Sequence, residues 1–427
     1  MNLIFALDKW FLGLRRGNGL PADNLLVGLD IGTSKICAVI GEYDENDKLE
    51  ITGIGKAPST GLRQGVVINI EATMKAVTEA IEAAEMMSGR EVFSVVTGIA
   101  GGHVEGINSR GVVAVAGKGR EIAPEDISRV IDAAKAIVIP MDREVLHVIP
   151  QEFIVDDQGG IRDPLGMIGI RLESEVHIIT GSVTSAQNLI KCVNRAGFRV
   201  DNVILQALAS SKAVLRPEEK DMGVLMIDIG GGTTDVIVNY ESAPYHTDVV
   251  PIGGKQITND LSIVLKIPFD IAEKIKLESG CCYEPLVEEE DIVIPSVGGW
   301  PATYISRKKI CEIIQPRVAE IFLMVKKHLE RKNYLKLLNS GIVITGGGSL
   351  MPGVAQLAGE IFNLPVRIGY PAGCGGLVEE YRNPMYSTAV GLVMFTDEMR
   401  EKFDKKVTLS NEINFFGRFK NWVKEFF

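Results

Sequence analysis

VLMIDIGGGTTDVIVN, residues 224–239, decides the fold. An apolar run ends at Asp228, a glycine turn follows (Gly230, Gly231, Gly232), and a second β-rich run carries on from Thr233. The pattern predicts a β-hairpin whose turn lacks bulky side chains, so its backbone N–H groups can approach an anion closely. One such hairpin says little, because Asp-Gly turns occur in hairpins of every kind. The chain holds a second. LLVGLDIGTSKICAVIG, residues 25–41, repeats the strand, the Asp-Ile-Gly and a Gly/Thr/Ser turn 198 residues earlier. A glycine pair follows each copy, Gly53-Ile54-Gly55 in one and Gly253-Gly254 in the other. Duplication at this spacing predicts two like halves with a cleft between them.

The turn residues suggest the chemistry of that cleft. Thr33, Ser34, Thr233 and Thr234 add hydroxyl donors for phosphate oxygens, and Asp30 and Asp228 stand at the strand ends. Carboxylates so placed suit Mg²⁺, which keeps much of its water shell and is held through it. A third glycine segment, GIVITGGGSLMPGV (341–354), reads as a strand, a triple-glycine turn and a helix start offering N-terminal amides. It is not a Walker loop, since no Gly-Lys-Ser/Thr follows, and it lacks the dinucleotide GxGxxG spacing.

The whole chain frames this core. Its 427 residues suffice for two to four domains, and 46% hydrophobic with 23% charged residues is a globular composition. Lys and Arg number 45 against 55 Asp and Glu, a net charge of −10, which argues against nucleic acid as a partner. No run of 18 apolar residues predicts a membrane-spanning helix. Six scattered cysteines without a CxxC pair, and five scattered histidines, predict neither a disulfide scaffold nor a zinc site. Short β-branched runs alternating with amphipathic stretches from Leu25 to Thr396 give an α/β class.

The two ends differ from that body. In INFFGRFKNWVKEFF (413–427), Phe415, Phe416, Phe419, Trp422, Val423, Phe426 and Phe427 share one helical face, an arc of about 140°. Basic and polar residues fill the rest, and the segment carries +2 in a chain of −10. Bulky aromatics opposite cations predict a helix lying in the plane of an anionic membrane surface, after a polar linker at 397–412. Docking on the protein's own core is the plainer alternative. Residues 1–24 read as an amphipathic stretch and linker and make a poor signal peptide, because Asp8 and Lys9 interrupt the apolar run.

Taken together, the two phosphate hairpins and VITGGGSLMPG resemble the actin, Hsp70 and sugar-kinase superfamily. Within it the chain resembles the FtsA family of bacterial cell-division proteins, through residues 147–180, IGGKQITNDL (252–261), AEKIKLESG (272–280), YSTAVGL (386–392) and the terminal amphipathic helix. The first 24 residues depart from that family. The resemblance implies an actin-like ATPase fold of two duplicated halves around a nucleotide cleft, with an FtsA-type 1C subdomain at 100–178. Subdomain 1A would take 25–99, 179–216 and 380–396; 2A would take 217–245 and 335–379; 2B would take 246–334.

Function is carried over on the same terms. The resemblance implies ATP with Mg²⁺, the phosphates lying between Gly32, Thr33, Ser34, Lys35 and Gly230, Gly231, Gly232, Thr233. Adenosine would meet Gly254, Glu273, Lys276, Gly346, Gly347, Gly348 and Met351. Glu273 and Lys276 are, on spacing alone, an ordinary solvated pair on a helix. Gln206, with Asp30 and Asp228, would position water and metal, and with no evident general base hydrolysis would be slow. The partners implied are a second copy of the chain in a polymer, the lipid surface, later division proteins through 1C, and the C-terminal tail of the tubulin-like GTPase FtsZ. Arg317, in IIQPRVAEI (313–321), would face that acidic tail. Two rivals stay open: a sugar-type kinase on the same fold, and an FtsA-like adaptor of a type IV pilus machine.

Overall fold

The computed structural model describes residues 25–116, 118–295 and 302–398. Both hairpins form, and in one register. Leu26–Ile31 pairs antiparallel with Lys35–Tyr43, setting Asp30 opposite Cys37, while Val224–Ile229 pairs with Thr234–Tyr240, setting Asp228 opposite Asp235. The turns close on matching hydrogen bonds: Gly32 N–H donates to the Lys35 carbonyl at 3.0 Å and Gly230 N–H to the Thr233 carbonyl at 2.9 Å.

Around each hairpin the chain builds the same sheet. In the first half, Leu49–Pro58 adds antiparallel on one side, and Ser94–Ile99 and Arg199–Leu205 add parallel on the other. The second half repeats this with Ala243–Val250, then Ile342–Thr345 and Val366–Ile368. The leading strands are buried at every residue, as central strands covered on both faces must be.

The two glycine pairs are not equivalent, which corrects the matched reading of the sequence. Gly53 and Gly55 lie within a strand and serve helix packing. A Cβ at Gly55 would sit 1.9 Å from the Ala80 carbonyl oxygen, because helix Ile70–Ser88 presses its alanine face (Ala76, Ala80, Ala84) onto the sheet. Gly253 instead precedes helix Gly254–Leu265 and lies against the second hairpin turn.

An insertion follows Ser94–Ile99. It is a four-stranded antiparallel sheet in the order Glu105–Ala114, Arg171–Ser182, Arg143–Val155, Gln158–Ile161, packed on helix Pro124–Ala134. Pro124 opens that helix, where its missing N–H costs nothing, and the Asp126 carboxylate caps the Ala123 N–H at 3.1 Å. Ile127, Val130 and Ile131 meet Phe153, Leu172 and Ile178 in a core of the insertion's own. The insertion also reaches the edge strand Ala243–Val250 of the second half: His177 Nε2 lies 2.9 Å from Thr247 Oγ1, and the Gln151 amide donates to the Pro244 carbonyl at 2.9 Å.

The second half carries helices Gly254–Leu265 and Phe269–Ser279, a small hairpin, and the long helix Arg307–Arg331 with Pro316 in its interior. Residues 387–398 form the last described helix. Among the described residues no helix is long and apolar enough to cross a membrane.

Candidate functional site between the two hairpins

The two turns face each other in contact. A Cβ at Gly231 would fall 2.0 Å from Ser34 Oγ, and one at Gly232 would fall 2.5 Å from Thr33 Oγ1. Glycine is thus required there for close approach. Other contacts cross the same gap. Lys255 Nζ donates to the Thr33 carbonyl at 2.6 Å, and Gln64 Nε2 donates to the Pro251 carbonyl at 2.8 Å. Gly65 N–H reaches Thr33 Oγ1 at 3.1 Å from within the first half. Gly254 and Lys255 N–H donate to the Gly230 and Gly231 carbonyls at 2.9 and 2.8 Å, seating a helix start on the second turn.

Beneath the turns lie three buried carboxylates, Asp30, Asp228 and Asp235. Burial pushes Asp30 up to about 6; Lys35 opposes this, and repulsion from Asp228 adds to it. Asp228 is also raised by burial, against donation from Ser210 and Thr388 and the charge of Lys35. Asp235 is raised further by burial and by Asp228, and its Oδ1 has no hydrogen-bond partner. Acidic charge gathered out of water, with a single lysine and a few hydroxyl and amide donors near it, is only partly compensated within the protein. That surplus fits a bound cation. Among the described residues no three His, Cys, Asp or Glu side chains converge as direct metal ligands; Asp30 and Asp228 are the carboxylates that could hold a hydrated ion such as Mg²⁺ through its water shell.

One helix orients both aspartates. Gln206–Val214 starts where Arg199–Leu205 ends, and Gln206 Nε2 donates to Asp30 Oδ1 at 3.0 Å. One turn later Ser210 Oγ donates to Asp228 Oδ2 at 2.5 Å. Gln206 is held in turn by Gly98, where a Cβ would meet its Cγ at 2.8 Å.

The third glycine segment forms a wall beside Asp228. Gly346 (φ +79°) lies in the left-handed region, and a Cβ there would be 2.2 Å from Asp228 Oδ1; one at Gly348 would strike Ile229. Gly347 faces open space, and the turn continues as a short 3₁₀ stretch, Gly347–Leu350, ahead of helix Val354–Phe362. Met351 Sδ packs at Gly280, 3.1 Å from where its Cβ would be. Lys276 is not solvated: its side chain is 9% exposed and donates to Glu273 at 2.7 Å, Thr258 Oγ1 at 2.9 Å and the Gly254 carbonyl at 3.2 Å. Glu273, Lys276 and Gly254 therefore form one network at the foot of the helix that rests on the second turn.

Other candidates stand elsewhere. Arg317 grips Asp260 with two nitrogens, at 2.6 and 3.0 Å, and also meets Glu320. Phe415, Phe416, Phe419, Trp422, Val423, Phe426 and Phe427 lie outside the described residues. A cavity of about 280 Å³ opens away from the hairpins, between the insertion (Gly106, Ile107, Asn108) and His246, Lys332 and Tyr334. Sequence reasoning missed Asp235, Lys255, Ser210 and Thr388. IGGK carried a signal for Lys255, since a lysine follows the glycines that seat on the turn; Ser210 and Thr388 read as ordinary small helix residues.

Comparison with known proteins settles the family. The model of the Cell division protein FtsA family matches residues 225–391, and that of the SHS2 domain inserted in FtsA matches 101–180. The cell division protein FtsA of Borreliella burgdorferi is 51% identical over 413 residues, covering 95% of this chain and 99% of its own. The chain belongs to the FtsA family. FtsA relatives from Escherichia coli (36% identical, 94% of this chain and 98% of the relative) and Bacillus subtilis (38%, 87% and 83%) extend the match. In solved structures, a PilM-PilN type IV pilus biogenesis complex aligns with TM-score 0.62 at 17% identity, covering 86% of this chain and 97% of that one. MreB5 of Spiroplasma citri aligns at 0.56 and 14%, covering 90% and 99%. At such identities the likeness shows the fold alone; the FtsA insertion rests on the family models. The sugar-kinase and pilus-adaptor alternatives give way to the FtsA family of cell-division proteins.

Proposed function

We propose that this FtsA-family chain binds ATP with Mg²⁺ between its two hairpins, polymerises with copies of itself, and tethers the FtsZ ring to the cytoplasmic face of the cell membrane at the septum. The observation that carries the nucleotide reading is the pair of register-matched hairpins meeting over buried Asp30 and Asp228. The two turns, in contact in this structure, would part to admit the phosphates between Gly32, Thr33, Ser34, Lys35 and Gly230, Gly231, Gly232, Thr233; Gly346, Gly347, Gly348 and Met351 would take the adenine side, with Gly254, Glu273 and Lys276 toward the ribose. Bound Mg²⁺ supplies charge neutralisation at the phosphates. The chain's own part is positioning: Gln206, already bonded to Asp30, orients water but takes no proton, so turnover is at most slow.

Membrane attachment rests on the aromatic and basic face at 413–427, weak in one copy and firm in a polymer. The insertion offers a surface for later division proteins. The FtsZ tail would meet Arg317 in competition with Asp260 and Glu320. The test is co-sedimentation with anionic vesicles, with and without Mg-ATP, for the full chain, a truncation ending at Ser410 and the Phe419→Glu/Trp422→Glu variant. ATP-promoted pelleting lost in both altered chains is expected, and equal pelleting of all three refutes the anchor. For the tail, Arg317→Gln should weaken binding of an FtsZ tail peptide and Asp260→Asn should strengthen it; unaltered affinity in both removes Arg317 from the site.

A further inference from the structure

The segments LASS (208–211) and YSTAVGL (386–392) meet at the floor of the cleft. Helix Gln206–Val214 is buried along almost its whole length, so its polar side chains need partners inside the protein. A buried helical serine usually bonds back to its own helix, as Ser211 does to the Leu208 carbonyl at 2.8 Å. Ser210 does not. Its hydroxyl donates to Asp228 Oδ2 at 2.5 Å and lies 3.0 Å from Thr388 Oγ1, which itself stands 3.4 Å from the same oxygen. Thr388 comes from the crossing helix 387–398, which lies so close that a Cβ at Gly391 would be 1.8 Å from the Ala209 carbonyl oxygen.

Two donors one turn apart therefore divide the two aspartates between them. Gln206 takes Asp30 Oδ1, and Ser210 with Thr388 takes Asp228 Oδ2. Asp30 Oδ2 and Asp228 Oδ1 keep no hydrogen bond among the described residues, and Asp228 Oδ1 stays uncovered because Gly346 beside it carries no Cβ, which would fall 2.2 Å away. A carboxylate that holds a hydrated ion needs one oxygen fixed and the other open, since the ion's waters arrive as donors. We propose that Ser210, backed by Thr388, is a positioning residue for Mg²⁺: the hydroxyl pair occupies Asp228 Oδ2 and so presents Oδ1 to the water shell of the ion. This rests on the ATP-Mg reading above and adds two residues that act on the metal without touching nucleotide.

The experiment is ATP binding by calorimetry to the full chain, in Mg²⁺ and in EDTA, for the wild type, Ser210→Ala, Ser210→Thr and Thr388→Val. The readout is the ratio of the two affinities. Ser210→Ala should cut the Mg²⁺ advantage about tenfold while the EDTA affinity stays at the wild-type value, and Ser210→Thr should restore the advantage because it keeps the hydroxyl. Thr388→Val should lower the ratio by a smaller factor. A wild-type ratio in Ser210→Ala overturns the proposal, as does an equal loss of affinity in Mg²⁺ and EDTA, which is what a packing role gives. Should Ser210→Ala fail to fold, the Thr388→Val ratio decides in the same way. A wild-type chain that binds no ATP at all overturns the nucleotide reading, and this one with it.

Discussion

Gly253→Ala puts the seating of helix Gly254–Leu265 on the second turn to a quantitative test. Gly253 is extended (φ −157°, ψ −161°), so alanine meets no backbone penalty there and the effect is purely steric. The new Cβ would lie 2.6 Å from the Gly230 carbonyl oxygen and 2.9 Å from both the Gly231 carbonyl carbon and the Gly232 nitrogen. All three are backbone atoms and none can swing aside. Reaching ordinary contact moves the helix start away by about 0.8 Å, which stretches the two bonds at 2.9 and 2.8 Å beyond hydrogen-bonding range. At about 1 kcal/mol each, their loss costs roughly 2 kcal/mol, or about a 30-fold change in equilibrium. Because those bonds hold the turn proposed to bind phosphate, most of the cost should appear as weaker ATP binding. Titration with a fluorescent ATP analogue measures it, with Gly102→Ala as control, since a Cβ there meets only Pro251 at 4.0 Å. An affinity within threefold of wild type would refute the claim that this contact shapes the site.

Three further outcomes are expected. Gly359→Ala, inside helix Val354–Phe362 with nothing nearer than 3.7 Å, should raise stability by about 0.5–1 kcal/mol in urea unfolding; a loss would mean the helix face is tighter than the structure shows. Burial pushes His177 down to about 3, with His246 and Lys332 as further opposing charges, and the residue is 1% exposed. Its folded value lies below the ordinary 6.5 or so, so its stabilisation is complete above that pH and falls as pH drops toward 3, a loss of about 2 kcal/mol by pH 5. Unfolding free energies from urea titrations at pH 7.5 and 5 should differ less in His177→Gln than in wild type by that amount, and equal differences would rule out the assignment. Lys255→Met removes the cation on the Thr33 carbonyl and should weaken ATP binding about tenfold; the same calorimetry reads it, and an unchanged affinity would refute a role for that contact.

Much of the fold was legible because its signals are local. Asp-Ile-Gly, a small-residue turn and two β-branched runs specify a hairpin within 16 residues, and a second copy specifies the duplication. The site was legible wherever a residue belonged to those turns. It was not where the partner lies far along the chain. Asp235 reads as one polar residue in a strand until the register puts it opposite Asp228 and under the same turn. The Glu273–Lys276 pair looks solvated until the Gly254 carbonyl, 22 residues away, is seen to cover the lysine. Arg317 looks free until Asp260, 57 residues away, takes two of its nitrogens. Gly53 and Gly55 show the converse error. Their resemblance to the later glycine pair is real as sequence, yet the cause is a neighbouring alanine helix face, whose register no short motif reports.

The helix at 387–398 has a mechanical consequence. Its first turn touches Asp228 through Thr388, and its far end is pinned to the first half by the Tyr43 hydroxyl on Asp397 and by Lys212 on Glu398 at 2.6 Å. Twelve residues make a stiff strut about 18 Å long. Between those ends Ala389, Val390, Leu392 and Val393 are fully buried, so the strut is fixed along its length and not at its tips alone. The tolerance is small, since Thr388 lies 3.0 Å from Ser210 and a displacement of about 1 Å would part them. One rigid element therefore sets both the placement of Asp397 and Glu398 and the reach of Thr388 to Asp228.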